Sequence, residues 1–478
     1  MPQLRASPLL LIGNRWVDGT GSYPLRDPYW GKVIAEVPLA DLSLCKEAIR
    51  LAHEAFATTS REAPCDRAER LVRIASLIES RKDDFVETIV MEVGKPRRLA
   101  TVEVERAIVT FRAAAEEARR ELGELLSLQG FPTGKGYFGW VKRFPIGVVF
   151  AITPFNFPLN TVAHKVAPCL ATGNPMVLKP SPKAPLTAIL LSELLLEAGI
   201  VPGQYNLIVC GNEEVAELVV DDRVRKVSFT GSAEVGWKLK ALCPEKRVTL
   251  ELGGNAAVIV DERSDWLKAI GPIAMGAFAY AGQSCISVQR VLVHRSIYEA
   301  FRDALVSFTQ KEIHIGDPNR PEVVVGPLID ASAAERIARW LAKAQEKGAR
   351  IVCGGRFQGP CLEPTIVETQ EEELEIVCEE VFAPLLVLSH FDSFDEALQR
   401  VNRSRYGLQA GVFTRDLYRA MQAFETLEVG AVLINQIPTF RIETMPYGGV
   451  KRSGFGREGI RYAMEGMTEP RVCLWNCN

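Results

Sequence analysis

One cysteine among the eleven stands in a setting suited to a nucleophile. Cys285 lies in FAYAGQSCISVQRVLVH, residues 278–294, beside Ala281, Gly282 and Ser284 and just ahead of a β-branched run. Small neighbours let a substrate and hydrogen-bond donors reach the sulfur, as a reactive thiol requires. A buried cysteine serving as a small hydrophobe fits the same surroundings. Upstream, Glu251 ends an apolar run between Leu250 and Leu252 and precedes two glycines. A carboxylate so placed is partly desolvated, which raises its pKa and suits it to general-base work, or else it pairs with an arginine. Asn156 sits between Phe155 and Phe157, where its amide either satisfies backbone groups or donates to a developing oxyanion.

Two further stretches have the chemistry of phosphate or ribose recognition. FTGSAEVG (229–236) puts Gly231 at a strand end, Ser232 at a helix N-cap and Gly236 one turn on. Free N–H groups and the positive end of the helix dipole suit a pyrophosphate there, although G-x-G-x-x-G is absent and an ordinary capped helix reads the same way. Lys179, after an apolar strand and before Pro180, either reaches a ribose or phosphate or is a surface lysine at a turn.

The elements that carry these residues alternate. Strand-like runs at 146–152, 175–180, 205–210, 224–231, 248–254 and 256–261 are separated by helical stretches at 159–172, 184–199, 212–219 and 232–241. That rhythm predicts a doubly wound α/β sheet covered by helices on both faces. In such sheets ligands bind beyond the carboxyl ends of the strands, where TPFNFP, KPSP, FTGS and ELGG all fall. Before this core, 9–37 reads as two short strands with turns. Residues 43–120 read as helical, with one run through Leu71–Gly94 and another from about Leu99 to Leu122. The aromatic, Gly-rich stretch 130–141 reads as an extended excursion. A second mixed region starts near Ala256, with a helix at 332–347, strand-like ARIVCGG, a strand at 384–391 and a helix from about Phe394 to Val401.

At 478 residues, 47% hydrophobic and 24% charged, the chain is expected to form two or three globular units. A net charge of −3 gives no electrostatic case for nucleic acid or an anionic membrane as partner. The cysteines are odd in number and lack any C-x-x-C, which predicts reduced thiols in a cytoplasmic setting. Five histidines with no ligand spacing predict no metal site. The apolar run near the N-terminus is too short for a signal-peptide core, and the charge-free stretch 269–284 is too short to span a bilayer.

Together TPFNFP (153–158), GNPMVLKPS (173–181), FTGS (229–232), ELGG (251–254), GQSC (282–285), EEVFAP (379–384) and PYGGVKRSGFGRE (446–458) carry a resemblance to the NAD(P)-dependent aldehyde dehydrogenases. The resemblance covers nearly the whole chain and is nearest the lactaldehyde and phosphonoacetaldehyde dehydrogenase-like branch. It implies a Rossmann-like cofactor domain (1–122 and 142–253), an α/β catalytic domain (254–445) and a small β oligomerisation ribbon (123–141 and 460–478). It implies Cys285 as nucleophile, Glu251 as the base that activates water, and Asn156 with the Cys285 backbone N–H as oxyanion donors. For the cofactor it implies Lys179 and Glu380 on the two riboses, Phe382 by the nicotinamide, and Gly231 and Ser232 at the pyrophosphate. Thr153, Pro154, Ser181, Gly236 and Leu252 complete that set. The implied assembly is a homodimer or homotetramer.

Two positions depart from the family pattern. Pro182 and Lys183 stand where NAD-preferring members often have Glu after KPS, so NAD is expected with NADP as the alternative; Ala383 replaces the usual Gly. The implied substrate tunnel is lined by Arg106, Phe157, Asn160, His164, Ser284, Ile286 and Arg441. Two arginines and a histidine there suit a small polar or anionic aldehyde of the lactaldehyde, glycolaldehyde or phosphonoacetaldehyde type, because guanidinium forks match anionic oxygens; the bland reading makes Arg106 a surface charge and Arg441 a loop cap. Alternatives are a semialdehyde dehydrogenase, a non-phosphorylating glyceraldehyde-3-phosphate dehydrogenase (weakened by Ser284, where such enzymes place arginine) and a coenzyme A-acylating enzyme. A thiol hydrolase pairing Cys285 with His164 or His294, or a non-catalytic protein on this fold, are the rival classes.

Overall fold

The computed structural model describes residues 9–120 and 123–477. Its N-terminal third is helical: α1 (Pro64–Ser80), α2 (Lys82–Val93) and α3 (Arg97–Ala118) follow a first helix over Leu42–Thr59. The run through Leu71–Gly94 is therefore two helices. Arg81 breaks it at φ −111°, ψ 26°, held by Asp84 and by Glu193 of a neighbouring helix, and Asp83 and Asp84 open the next helix at the end that favours negative charge. Gly94 does end α2, with φ +62°. Helix α3 stops at Ala118, and the expected endpoint Leu122 lies outside the described residues, as do 1–8 and 478.

The first large sheet has a parallel core. Its strands are β1 (Val148–Ile152), β2 (Met176–Lys179), β3 (Tyr205–Leu207), β4 (Val224–Thr230) and β5 (Arg247–Glu251), arranged β3-β2-β1-β4-β5. Between them run α4 (Asn160–Thr172) and α5 (Ala233–Leu242), with further helices over Leu186–Glu197 and Asn212–Val220. Strand order reverses between β1 and β4, and a crevice opens at that point because the helices leaving the two strands go to opposite faces. Register aligns the carboxyl ends: Ile152 pairs with Lys179 and Phe229, and Thr230 pairs with Glu251. The N-terminal residues form four strands rather than two. Leu10–Ile12 and Arg15–Val17 make a hairpin on the β3 edge, and Gly21–Arg26 pairs with Val33–Leu39.

Strand β5 leads through ELGG directly into the second sheet. Its strands are β6 (Ala257–Val260), β7 (Arg290–His294), β8 (Thr365–Glu368), β9 (Leu385–Phe391), β10 (Gln409–Phe413) and β11 (Ala431–Ile434). They lie in the order β8-β9-β7-β6-β10-β11, all parallel, with Arg350–Cys353 antiparallel at the β8 edge. The charge-free stretch around 269–284 belongs to α6 (Trp266–Phe278) and the loop that follows it. Helix α6 buries Ala269, Ile270, Ile273, Ala274, Ala277 and Phe278 in the core around the second sheet and leaves Leu267 exposed. Among the described residues no helix is long and apolar enough to cross a membrane.

A three-stranded antiparallel sheet of Gly123–Leu125, Tyr137–Pro145 and Thr468–Asn476 stands apart from both. Its central strand reaches Pro145, and residues 460–466 form a helix, α7 (Ile460–Gly466), which packs on α4 and α3.

Candidate active site

The cysteine loop is built under strain. Tyr280, Ala281 and Gly282 adopt positive φ in succession (54°, 54° and 63°), a conformation that costs non-glycine residues about 1 kcal/mol each. At Gly282 a Cβ would stand 2.2 Å from the Ala383 carbonyl oxygen, so this position admits no side chain. Gln283, fully buried, clamps the loop: its amide donates to the Pro327 carbonyl (3.2 Å) and accepts from the Ile329 N–H (2.9 Å). Asn156, in the loop leaving β1, donates through Nδ2 to the Gln283 carbonyl at 2.9 Å. The amide has a second Nδ2 hydrogen, Asn156 lines the same cavity as Cys285, and among the described residues no hydrogen bond is recorded for the Cys285 N–H.

Cys285 faces a cavity of about 990 Å3. Its sulfur meets the Tyr447 hydroxyl at 3.1 Å, and burial pushes the thiol up to about 12. Glu251 lines the same cavity at the end of β5, with neither carboxylate oxygen hydrogen-bonded. Burial holds its pKa well above the ordinary carboxylate value, and the nearby Glu458 charge adds to this. Glu458 keeps its own charge because Lys165 lies at 2.8 Å and Arg441 at 3.7 Å. Two acidic groups therefore stand in opposite states: Glu458 ionised and held, Glu251 unbonded with its neutral form favoured, so that it becomes a base only as pH rises toward its raised pKa.

Arg441 and Arg106 also line the cavity. Arg441 is nearly buried, stacks 3.8 Å over the Tyr447 ring, and leaves Nε and Nη2 without hydrogen-bond partners. Arg106 on α3 donates through Nε to Glu443 at 2.5 Å and also leaves a buried nitrogen, Nη2, without a partner. Buried guanidinium donors without acceptors are costly unless a ligand supplies them. Phe157, Asn160, Ser284 and Ile286 line the cavity with them. His164 does not reach the wall. It is fully buried with Nε2 bound to Glu443, whose pKa lies at about 2 because His164 and Arg106 outweigh the effect of burial. With Glu443 ionised, Nε2 carries the proton of a neutral ring, and burial together with Arg441 lowers the His164 pKa.

Toward the first sheet, Pro154, Gly231, Ser232, Leu252, Glu380 and Phe382 line the cavity, while Thr153, Lys179, Ser181 and Gly236 lie outside its immediate wall. Ser232 caps α5 by accepting from the Val235 N–H at 3.4 Å. A Cβ on Gly236 would stand 2.3 Å from Leu252, so glycine here lets α5 sit close to the ELGG turn. Glu380 is raised to about 7 by burial, and its carboxylate accepts from the Gly254 N–H at 3.2 Å. The Lys179 ammonium is buried with no carboxylate paired to it among the described residues, and burial lowers its pKa. The hydroxyls of Thr153 and Thr230 are likewise buried without partners. A crevice with an unpaired ammonium, free hydroxyls, a helix N-terminus and a carboxylate fits a dinucleotide with two riboses and a pyrophosphate.

Tyr447, Gln283, Glu443 and the Lys95–Glu103 ion pair also belong to the site, and the sequence does not single them out. Lys95 is buried over the rings of Phe157 (3.8 Å) and Tyr280 (4.4 Å), and Glu103 also accepts from the Leu159 and Asn160 N–H groups at the start of α4. Gln283 and Tyr447 were visible as letters inside GQSC and PYGG. Glu443 carried no local signal.

Residues 16–473 match the aldehyde dehydrogenase family, and the chain belongs to that family. It is 39% identical over 468 residues to a 3-sulfolactaldehyde dehydrogenase of Priestia aryabhattai, covering 98% of each chain. A lactaldehyde dehydrogenase of Methanococcus aeolicus is 37% identical, with 98% of this chain and 100% of that one covered. Aldehyde dehydrogenase 21 from Physcomitrella patens, solved with its reaction product succinate, superposes with a TM-score of 0.95 at 38% identity over 98% of both chains. Solved relatives hold either dinucleotide. A Methanocaldococcus jannaschii glyceraldehyde-3-phosphate dehydrogenase is complexed with NADP (TM-score 0.91, 35% identity, 95% and 98% covered). A Staphylococcus aureus betaine aldehyde dehydrogenase is complexed with NAD+ (TM-score 0.94, 30% identity, 100% and 95% covered). The protein is an NAD(P)-dependent oxidoreductase that acts on aldehydes.

Proposed function

We propose that this enzyme oxidises a small polar or anionic aldehyde to its carboxylic acid, with Cys285 as nucleophile and Glu251 as base. The observation that carries the substrate class is the pair of arginines, Arg106 (partly buried) and Arg441 (nearly buried), with three buried guanidinium nitrogens lacking hydrogen-bond acceptors in the wall of the thiol cavity. A carboxylate, sulfonate, phosphonate or hydroxyl on the aldehyde supplies those acceptors. The names of the relatives, which act on sulfolactaldehyde and lactaldehyde, are in line with it.

In this reading the Cys285 thiolate attacks the carbonyl carbon, and the oxygen gathers negative charge beside the free Asn156 Nδ2 hydrogen and the Cys285 N–H. The bound dinucleotide supplies the hydride acceptor that turns the thiohemiacetal into a thioester. Lys179 and Glu380 would hold its riboses, the N-terminus of α5 with Gly231 and Ser232 its pyrophosphate, and Phe382 its nicotinamide. Glu251 then takes a proton from water as that water adds to the thioester, and the acid leaves while the Cys285 sulfur is freed. The free carboxylate oxygens of Glu251 favour hydrolysis over transfer to coenzyme A. NAD is the expected acceptor, since Lys183 is already paired with Asp330.

The ribbon, with Val472, Leu474 and Trp475 exposed, supports a homodimer or homotetramer, which sizing by light scattering measures. Eleven free cysteines support a reducing, cytoplasmic setting. The test is nicotinamide reduction with both dinucleotides over neutral, hydroxylated and anionic aldehydes. Anionic or hydroxylated substrates are expected to lead, and Cys285→Ala to abolish turnover. Undiminished turnover in that variant, or acetaldehyde as best substrate, overturns the reading.

A further inference from the structure

Tyr447 carries a hydroxyl that takes no part in the steps above. Its ring is buried, its hydroxyl lies 3.1 Å from the Cys285 sulfur, and both residues line the cavity. The Arg441 guanidinium lies 3.8 Å over the face of the same ring. A sulfur buried this way resists ionisation, yet the reaction needs the thiolate. The charged groups that act on it are Glu251 and Glu380, which oppose a negative sulfur, and Arg441, which favours it. Among the described residues the Tyr447 hydroxyl is the hydrogen-bond partner of Sγ, and a cation over a phenol ring makes its O–H a stronger donor.

We propose that Tyr447 is a further catalytic residue: its hydroxyl donates to the Cys285 sulfur and stabilises the thiolate, with Arg441 behind the ring strengthening that donor. A hydroxyl is needed for this and an aromatic ring alone does not suffice, so Tyr447→Phe separates the two. The neutral thiol and the thiolate differ in how strongly they accept. A hydrogen bond to the charged form lowers the thiol pKa by about one unit or more. The inference rests on Cys285 being the nucleophile.

The experiment follows alkylation of Cys285 by iodoacetamide against pH in the purified full-length protein. The Cys285 peptide is quantified by mass spectrometry to separate it from the other cysteines. In Tyr447→Phe the apparent thiol pKa is expected to rise by about one unit, and alkylation at neutral pH to slow roughly tenfold. Replacing Tyr447 with 3-fluorotyrosine, which keeps the ring and makes the phenol more acidic, is expected to shift the profile the opposite way. That variant also carries the test if Tyr447→Phe does not fold. An unchanged profile in either variant, or a shift in the same direction in both, overturns the proposal. Failure here is distinct from failure of the functional reading, because alkylation reports the sulfur whether or not any aldehyde is oxidised.

Discussion

Replacing Arg441 by methionine keeps an unbranched stem and removes the guanidinium with its charge and donors. In the resting protein Nε and Nη2 make no hydrogen bond, and the change costs the fold the ion pair with Glu458 at 3.7 Å and the stacking on Tyr447. The substrate loses much. A hydrogen bond between a buried guanidinium and an anionic oxygen is worth about 1.5–3 kcal/mol. At 1.36 kcal/mol per decade, kcat/KM for an anionic aldehyde falls about tenfold to about 150-fold. A neutral aldehyde of the same length has no such bond to lose, and its kcat/KM is expected to change less than about threefold. The effect shared by both substrates comes through Glu251, whose pKa Arg441 lowers, and through the Cys285–Tyr447 pair that Arg441 backs, so the pH profile moves to higher pH for every substrate. The assay is initial-rate nicotinamide reduction on a charged and a neutral substrate at several pH values. An equal factor for the two substrates refutes the assignment of Arg441 to the anion, as does a loss for the anionic aldehyde smaller than about threefold.

Glu251 has a raised pKa, so its neutral form is the one the fold tolerates. Its favourable contribution to stability is present below the ordinary carboxylate value and is lost as pH climbs through the raised value, while turnover rises over that same upper range. A kcat–pH profile for the wild type and Glu251→Gln, with the gain limb absent in the variant, checks this. Gly282→Ala places a methyl 2.2 Å from the Ala383 carbonyl in a left-handed residue, and denaturant unfolding is expected to show a loss of about 2 kcal/mol or more with reduced Cys285 alkylation. Lys95→Met leaves Glu103 buried without its cation, a loss of about 3 kcal/mol by the same measurement. Lys179→Met is expected to raise KM for the dinucleotide at least tenfold while leaving the thermal midpoint nearly unchanged, since its ammonium has no carboxylate partner in the fold.

The parallel core was legible because each of its strands is a short apolar run closed by a Gly, Pro or Lys turn, and the helices between them have amphipathic spacing. The helices at Trp266–Phe278, Tyr298–Glu312 and Leu417–Thr426 were harder to separate. The first carries apolar residues on its exposed side as well, Leu267 and Pro272, which blurs the contrast between its faces. The break at Arg81 depends on Glu193, over a hundred positions away in the chain, and no local window contains it. The same limit hid Glu443: its partners Arg106 and His164 are met only after the sheets have formed, and the arginine pattern read from the tunnel gave the charges without the carboxylate that shares them. His164 was expected on the tunnel wall for this reason, and the structure turns it inward instead.

The nucleophile and the base belong to different halves of the molecule. Glu251 ends a strand of the first sheet, whereas Cys285 sits on a loop that feeds β7 of the second. Their separation is therefore set by the joint between halves, not by either half alone. Ser453 is one pin in that joint: its hydroxyl donates to the Gly253 carbonyl at 2.8 Å and accepts from the Gly407 N–H at 2.9 Å. Asn156, bonded to Gln283, is another. Turnover in this enzyme is thus exposed to mutations that never touch substrate. Any change that loosens such a pin alters the distance over which the thioester must wait for its water.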